Sequence, residues 1–308
     1  MILLKNGDLA FNCYFRLKIL RNLKDISEIE PQGRIDDFVQ LENENLAILS
    51  SFGKCSKVIF NTLEIFDIKN NYEIIKKIRL QTFGSYERYS KIINIDNTFV
   101  LLSYSKNEDE DEDEENKIII TYINNQDYKE LKLLELKGDI GNFIYINDYI
   151  IINSINSRKK LEILFYNFKN KIVEKSLSLD MVNDNSLVYF SSNSLLNNFV
   201  FNNEKILLST ALYGLIVNVK TKEIESKIEN FKNIYYLENL NGYLLAGLKD
   251  CIISQINMEL LQISNNFIIN FYKKEYFKIV EIVSIIDIGN NQFCVFFKYD
   301  GLYLFNYK

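Results

Sequence analysis

One unit of short apolar strands and tight turns recurs seven times along this chain. In the second copy the apolar run at residues 37–41 leads into a turn at 43–45, and the apolar run at 46–49 follows. A third strand at 63–68 and a fourth at 72–80 complete the copy. The first turns of successive copies lie roughly 37 to 56 residues apart, and a period of about 40 to 50 residues is typical of arrays of four-stranded sheets. We therefore expect serial copies of one antiparallel sheet.

Asn and Gly predominate in the turns between first and second strands. Both residues tolerate positive φ, which two-residue hairpin turns require. Asn6-Gly7 in the first copy and Asn241-Gly242 in the sixth are the clearest hairpin signals. We expect left-handed backbone at these turns. The third, fourth, fifth and seventh copies place Asp96-Asn97, Asn147-Asp148, Asn202-Asn203-Glu204 and Gly289-Asn290-Asn291 there.

The apolar pattern changes from the second strand of each copy to the third. Second strands are continuous apolar runs, such as residues 99–102 and 206–208, and strands buried on both faces have this pattern. Third strands, such as residues 63–68, alternate, which is typical of a half-wetted outer strand. The residues predicted to be buried in second strands are Ile150, Ile151, Leu207, Leu208, Leu244 and Leu245.

Together these patterns predict an all-β chain, a seven-bladed β-propeller of mostly four-stranded antiparallel blades. Residues 1–308 form one domain in this interpretation, because no Pro/Gly/Ser-rich linker divides them. The alternative is a β-sandwich, which explains the strands but not seven serial units with one internal order. The predicted blades are residues 1–32, 33–82, 83–137, 138–180, 181–230, 231–278 and 279–308.

The last unit has strands at residues 280–288, 292–297 and 302–307, and no fourth strand follows. The N-terminus cannot easily supply one, because the turn at Asn6-Gly7 already pairs residues 2–4 within the first unit. We expect a blade of three strands whose exposed edge accepts a strand from a protein partner, unless a missing end of this chain completes it. The predicted edge residues are Leu302, Tyr303, Leu304 and Phe305.

The chain has no histidine and no tryptophan. Histidine is the commonest general base and metal ligand, so Ser-His-Asp and Cys-His chemistry are excluded within this chain. The sequence has no catalytic constellation and no metal site, and we predict neither an enzyme nor a cofactor. The alternative is a carboxylate-dependent propeller that processes or binds glycans. Its acidic side chains would come from the starts of first strands, at Asp36, Asp37, Asp139, Asp184 and Asp287.

Two further segments are candidate contact sites for a protein partner. The loop at residues 83–91 joins the second and third units and contains Tyr and Arg, which interfaces favour as anchors. Its candidate residues are Tyr86, Arg88, Tyr89 and Lys91. A dense acidic run interrupts the third unit and is expected to be a solvated loop or a contact for a basic partner. It consists of Glu108, Asp109, Glu110, Asp111, Glu112, Asp113, Glu114 and Glu115.

Charge and cysteine usage limit the partners and the compartment. The formal net charge is −5, which argues against general nucleic-acid binding, because that needs a basic surface. The four cysteines are widely spaced, as is typical of buried thiols rather than disulfides. The sequence has no secretion signal, no N-glycosylation motif and no apolar run of about 18 residues. We predict an intracellular, cytoplasmic protein without membrane insertion.

Several phrases resemble repeats of the WD40 family of β-propellers. Residues 4–11 followed by 15–19, residues 46–51 leading to 63–67, and residues 300–305 show an apolar second strand and a third strand that is mainly apolar. The Gly-His and Trp-Asp signature is missing, since neither His nor Trp occurs. The resemblance implies a rigid, strongly diverged WD40-like scaffold for protein–protein interaction within a larger assembly, and it implies no catalysis.

Overall fold

The computed structural model describes residues 1–13, 15–22, 24–54, 57–80, 87–96, 98–105, 117–124, 130–137, 140–155, 160–180, 197–209, 213–228, 234–240, 243–248, 252–257, 262–268, 282–289, 292–297 and 301–306. All regular structure in these ranges is β-strand, which confirms the all-β prediction. The strands form six antiparallel sheets of four strands and one of three, each built from strands consecutive in the chain. This is a β-propeller-like arrangement of small antiparallel sheets.

The strands are as follows. The first sheet has β1 (Ile2–Leu3), β2 (Leu9–Cys13), β3 (Arg16–Arg21) and β4 (Lys24–Ile29), and the second has β5 (Arg34–Gln40), β6 (Leu46–Lys54), β7 (Lys57–Asp67) and β8 (Glu73–Leu80). The third has β9 (Glu87–Ile95), β10 (Thr98–Ser105), β11 (Lys117–Asn124) and β12 (Glu130–Lys137), and the fourth has β13 (Ile140–Ile146), β14 (Tyr149–Ile155), β15 (Lys160–Asn167) and β16 (Ile172–Asp180). The fifth has β17 (Asn197–Asn202), β18 (Lys205–Ser209), β19 (Gly214–Asn218) and β20 (Glu223–Ile228). The sixth has β21 (Ile234–Leu240), β22 (Tyr243–Leu248), β23 (Ile252–Asn257) and β24 (Gln262–Ile268), and the last has β25 (Ile282–Gly289), β26 (Gln292–Phe297) and β27 (Gly301–Asn306).

The chain divides into two compact units. One contains Ile2–Tyr145 and Ile152–Met181, and the other contains Met1, Ile146–Ile151 and Val182–Lys308. The expectation of a single domain stays a prediction.

Left-handed backbone occurs, as expected, in the first turns of the first four sheets, whereas the fifth turn, Asn202-Asn203-Glu204, has no residue with positive φ. Gly7 has a φ of 84°, and its backbone N–H donates to the carbonyl of Leu4 over 2.8 Å. Asp96 and Asn147 have φ values of 45° and 49°. The Asn-rich composition of these turns therefore has a conformational cause, because few other non-glycine side chains tolerate this region.

In the four-stranded sheets whose third-strand side chains are described, the third strands are mostly buried, so the expectation that they are half-wetted outer strands is wrong there. All five residues of β19 are buried. Even Glu64 in β7 is buried, because its carboxylate accepts a hydrogen bond from the Gln32 backbone N–H at 3.0 Å and pairs with Lys77 at 2.9 Å. The alternation falls instead on the fourth strands, where β20 alternates exposed and partly buried residues. A fourth strand covers each third strand in the four-stranded sheets, and this removes the wetted edge.

The second strands are buried as the continuous apolar runs predict. Ile150, Ile151, Leu207 and Leu208 have no exposed surface. Leu244 and Leu245 lie in β22, where side-chain positions are outside the described set. In the unit that contains Ile2–Tyr145, buried side chains such as Ile19 and Ile48 join the first and second sheets, and Leu63 and Phe99 join the second and third. This apolar contact between neighbouring sheets is the main source of stability in such an array.

A buried carboxylate also ties the first two sheets together. Asp8 has no exposed surface and accepts two hydrogen bonds from the Arg21 guanidinium, at 2.8 and 2.9 Å. The Tyr72 hydroxyl of the second sheet donates to the same carboxylate at 2.9 Å, and Asn6 donates at 2.8 Å. The hydrogen bond from Arg21 is the largest factor that lowers the pKa of Asp8, and burial is the largest that raises the pKa of Tyr72 to about 12. Breaking this pair leaves a buried charge without its counter-ion, which is costly.

Candidate functional site

The last sheet has three strands, in the order β25-β26-β27, and β27 is its edge. Among the described residues no further strand pairs with β27, as the sequence predicted. Leu304 is 42% exposed and Tyr303 is 36% exposed, although both are large and apolar in character. Leu302 and Phe305 are partly buried, and the ring of Phe305 stacks on that of Phe293 with centroids 5.3 Å apart. This strand therefore combines an edge beyond which no described strand lies with exposed apolar side chains, which is typical of a site for strand addition.

A comparison with the fifth sheet shows what is missing at β27. Leu304 lies opposite Cys294 in the same register position that Ile216 takes opposite Leu207. Ile216 is only 3% exposed, because β20 covers it, whereas Leu304 is 42% exposed. The sequence of β27 is as apolar as that of a buried third strand, but β27 lies at the edge of its sheet.

The third strands share an Asn or Asp at their last residue, which the sequence analysis did not single out. In the fifth sheet the side-chain oxygen of Asn218 accepts hydrogen bonds from the backbone N–H groups of Lys220 and Thr221, at 2.9 and 3.0 Å. Its amide nitrogen donates to Glu225 in the fourth strand at 2.7 Å. We call this pair of contacts the Asx clasp. The residues at this position are Asp67, Asn124, Asn167, Asn218, Asn257 and Asn306, and the exception is Arg21.

The fourth sheet repeats the Asx clasp. The Asn167 side-chain oxygen accepts from the backbone N–H of Asn170 at 2.9 Å, and its amide nitrogen donates to Glu174 at 2.7 Å. Asp67 in the second sheet caps its turn in the same way, but a carboxylate has no N–H to donate to the fourth strand. A four-residue pattern in the sequence could have revealed the clasp. It consists of an apolar residue, Asn or Asp, a second apolar residue and Lys, and it recurs at 166–169, 217–220 and 66–69.

Every described fourth strand carries a β-bulge, one extra residue that interrupts its pairing with the third strand. In the fifth sheet Val217 pairs with Ile224 and Ile216 with Ser226, so that Glu225 is the extra residue. Bulges twist an edge and prevent regular pairing with another chain. By contrast, β27 pairs with β26 over its whole length without a register shift. The extra residues are Ile26, Ile75, Leu133, Glu174, Glu225 and Ser264.

The two other predicted contact segments lie partly or wholly outside the described residues. Tyr86 is outside them, and of Arg88 and Tyr89 only the strand position in β9 is described. The predicted loop at 83–91 is thus strand from Glu87 onward, because this segment forms the first strand of the third sheet. The acidic run also lies outside the described residues. Its expected place is confirmed, since β10 ends at Ser105 and β11 begins at Lys117.

Lys91 lies within β9 and contacts the next sheet. Its amine donates to the side-chain oxygen of Asn142 at 2.7 Å and lies 5.6 Å from the ring centroid of Phe143. Burial lowers the pKa of Lys91, and the nearby Asp37 carboxylate opposes that change. Lys91 therefore connects β9 to β13, the first strands of two neighbouring sheets.

Of the carboxylates that the glycan alternative would use, Asp36, Asp37 and Asp287 are described, and Asp287 is a partly buried residue of β25 opposite Phe293. Asp36 is the extra residue of a bulge in β5, and its carboxylate accepts from Arg34 at 2.9 Å. Burial raises the pKa of Asp36 to about 6. The Asp37 carboxylate accepts from the backbone N–H of Ile92 in the third sheet at 3.0 Å, and burial raises its pKa. The Asp36 and Asp37 carboxylates thus contact protein groups, and glycan processing stays a prediction.

Other classes of site are not found in the described part of the chain. There, no three His, Cys, Asp or Glu side chains converge as metal ligands. Across the same residues we find no helix with the length and apolar character of a membrane span. Of the described cysteines, neither Cys13 nor Cys294 is in a disulfide, and burial raises the pKa of Cys294 to about 11.

Comparisons with known proteins establish the fold and nothing further. The structure is similar to the crystal structure of the computationally designed Ika8 protein, with a TM-score of 0.60 and 10% sequence identity. The match covers 98% of this chain and 81% of that chain. No protein-family profile matches the sequence. No curated protein matches it either.

Proposed function

We propose that this chain is a non-enzymatic scaffold for protein–protein interaction within a larger assembly. In this proposal its sheets are the blades of a seven-bladed, strongly diverged WD40-like propeller, and the protein acts inside the cell, in the cytoplasm. The edge strand β27 is its contact site for a protein partner.

The observation that carries the proposal is the exposure of β27. Tyr303 and Leu304 are 36% and 42% exposed, whereas the equivalent third-strand residues Leu215 and Ile216 are 2% and 3% exposed. A segment that paired with β27 would satisfy its outer backbone groups and cover both side chains. The strand contains no charged side chain that would oppose such pairing.

The experiment compares partner capture by the wild-type chain and two lysine variants. Leu304→Lys places a charge on the unpaired edge, and we expect it to reduce capture at least about tenfold, because a buried lysine is costly. Ile172→Lys is the matched control, since Ile172 is 52% exposed on β16, a fourth strand that already covers its sheet. Each chain is isolated from the cells that make it, and co-purifying proteins are quantified by mass spectrometry.

Capture that is lost with Leu304→Lys and kept with Ile172→Lys supports the proposal. Equal capture by all three chains would show that β27 is not the contact. If the wild-type chain co-purifies with nothing in stoichiometric amount, the scaffold role itself is wrong.

A further inference from the structure

Building on the scaffold role, we propose that β27 selects a particular kind of partner segment: an antiparallel strand with a one-residue bulge and a glutamate at the bulge. In the partner complex the amide nitrogen of Asn306 donates to this glutamate, as the amide nitrogen of an Asx clasp does. Two of the chain's own fourth strands, β16 and β20, are the template for this segment.

Register identifies Asn306 as the clasp residue of the last sheet. Asn306 pairs with Gln292, the first residue of β26, just as Asn218 pairs with Lys205, the first residue of β18. The side-chain oxygen of Asn306 already accepts a hydrogen bond from Gln292 at 2.8 Å, and the residue is exposed. Its amide is therefore placed at the end of the third strand, as in the sheets that have a clasp.

The carboxylate follows from the two complete Asx clasps. Asn167 and Asn218 each donate to a glutamate at 2.7 Å, and both glutamates, Glu174 and Glu225, are the extra residues of bulges. The hydrogen bond from Asn218 is the largest factor that lowers the pKa of Glu225. In the two other four-stranded sheets whose third strand ends in Asn, the extra residues are Leu133 and Ser264, so the carboxylate is the choice of two sheets out of four. Where the bulge residue accepts from the amide, it is a glutamate, because an ionised acceptor forms the stronger hydrogen bond.

The rest of the partner strand follows from β16. Beyond its bulge, Leu177 and Leu179 are partly buried, and Ser176, Ser178 and Asp180 are exposed. A segment with apolar residues at every second position would cover Leu304 and Tyr303 in the same way. Pairing between two β27 strands offers no carboxylate to Asn306, since β27 contains none.

The first test uses a synthetic peptide with the sequence of residues 171–180 and the full-length chain. We expect it to slow amide exchange at residues 302–306 and to bind about five- to tenfold more tightly than the same peptide with Glu174→Gln. With the Asn306→Ala chain the two peptides should bind equally. This double-mutant comparison isolates the contact between the amide and the carboxylate.

The second test keeps the proposal falsifiable if the free peptide binds weakly. The sequence Asn306-Tyr307-Lys308 resembles Asn167-Phe168-Lys169, so residues 170–180 are appended after Lys308 as a tethered fourth strand. Tethering raises the effective concentration of the strand to the millimolar range. We expect amide exchange at residues 302–306 to slow at least about tenfold, and Glu174→Gln in the appended copy to reverse part of that protection.

The outcomes separate this inference from the scaffold role. Absence of protection in the tethered chain, or equal protection by the Glu and Gln sequences, overturns the selection of a bulge glutamate. Protection of β27 that rises with protein concentration, together with dimers in sedimentation, would identify a second copy as the occupant and also overturn it. The scaffold role fails by a different result, namely equal partner capture by the wild-type and Leu304→Lys chains.

Discussion

Replacing Leu208 with alanine tests the placement of the second strands. Leu208 lies in the middle of its sheet, where it pairs with Asn198 on one side and with Leu215 on the other, and has no exposed surface. The substitution removes three carbons, which corresponds to about 2.4 kcal/mol of transfer free energy at about 0.8 kcal/mol per carbon. The cavity adds to this, so we expect the free energy of unfolding to fall by about 3 kcal/mol, within the range of about 2 to 5.

Leu304→Ala is the matched control, because the same three carbons are removed from a side chain that is 42% exposed. We expect it to cost less than about 1 kcal/mol. Urea denaturation followed by circular dichroism measures both losses, and the slope with denaturant should not change. A loss below about 0.5 kcal/mol for Leu208→Ala, or equal losses for the two variants, would refute the burial of β18 and the exposure of β27.

Three further predictions concern charge. Burial raises the pKa of Asp36 to about 6, so the contribution of this group to the free energy of unfolding falls as pH rises from about 4 to about 6. Asp36→Asn should remove this pH dependence, which amounts to up to about 3 kcal/mol, as measured by urea titrations at several pH values. The pKa of Asp8 is lowered, so its contribution is present at neutral pH and is lost under acid conditions. Asp8→Asn should therefore cost about 2 kcal/mol at pH 7 by urea denaturation and much less at pH 2 to 3. Deleting Glu108–Glu115 should leave the melting temperature within a few degrees of the wild type, because like charges at this density are predicted to repel one another rather than pack. The deletion should also weaken any binding of a basic partner, most strongly at low salt.

Local signals in the sequence were sufficient to predict the strands and their first turns. The turn at Asn6-Gly7 requires positive φ, which is a property of the two residues themselves. The continuous apolar runs around Ile151 and Leu207 likewise specify burial without information about their neighbours. A last sheet with three described strands was also predicted, because residues 280–288, 292–297 and 302–307 have the strand pattern.

The contacts between strands were not predictable in the same way. The Asx clasp joins Asn218 to Glu225 across a turn, and its carboxylate reaches the amide because of a bulge, which no sequence period reports. The burial of the third strands was not predicted, because a charged residue within an alternating run suggests a wetted face. In β7 that residue, Glu64, is buried and pairs with Lys77, and the alternation does not show this. The contact of Lys91 with Asn142 could not be predicted either, because the two residues are 51 positions apart and no local pattern links them.

The bulges of the fourth strands also limit how far copies of this chain could polymerise. A cross-β fibre grows only if each added copy exposes a new edge equivalent to the one that it has just covered. Among the described sheets β27 is the only last strand with a regular edge. Two copies that joined through β27 would cover both regular last-strand edges, and every other last strand of the described sheets is bulged. Growth from one last strand to the next would therefore end at a pair, because a fibre needs two regular edges on each copy and the last strands supply only one.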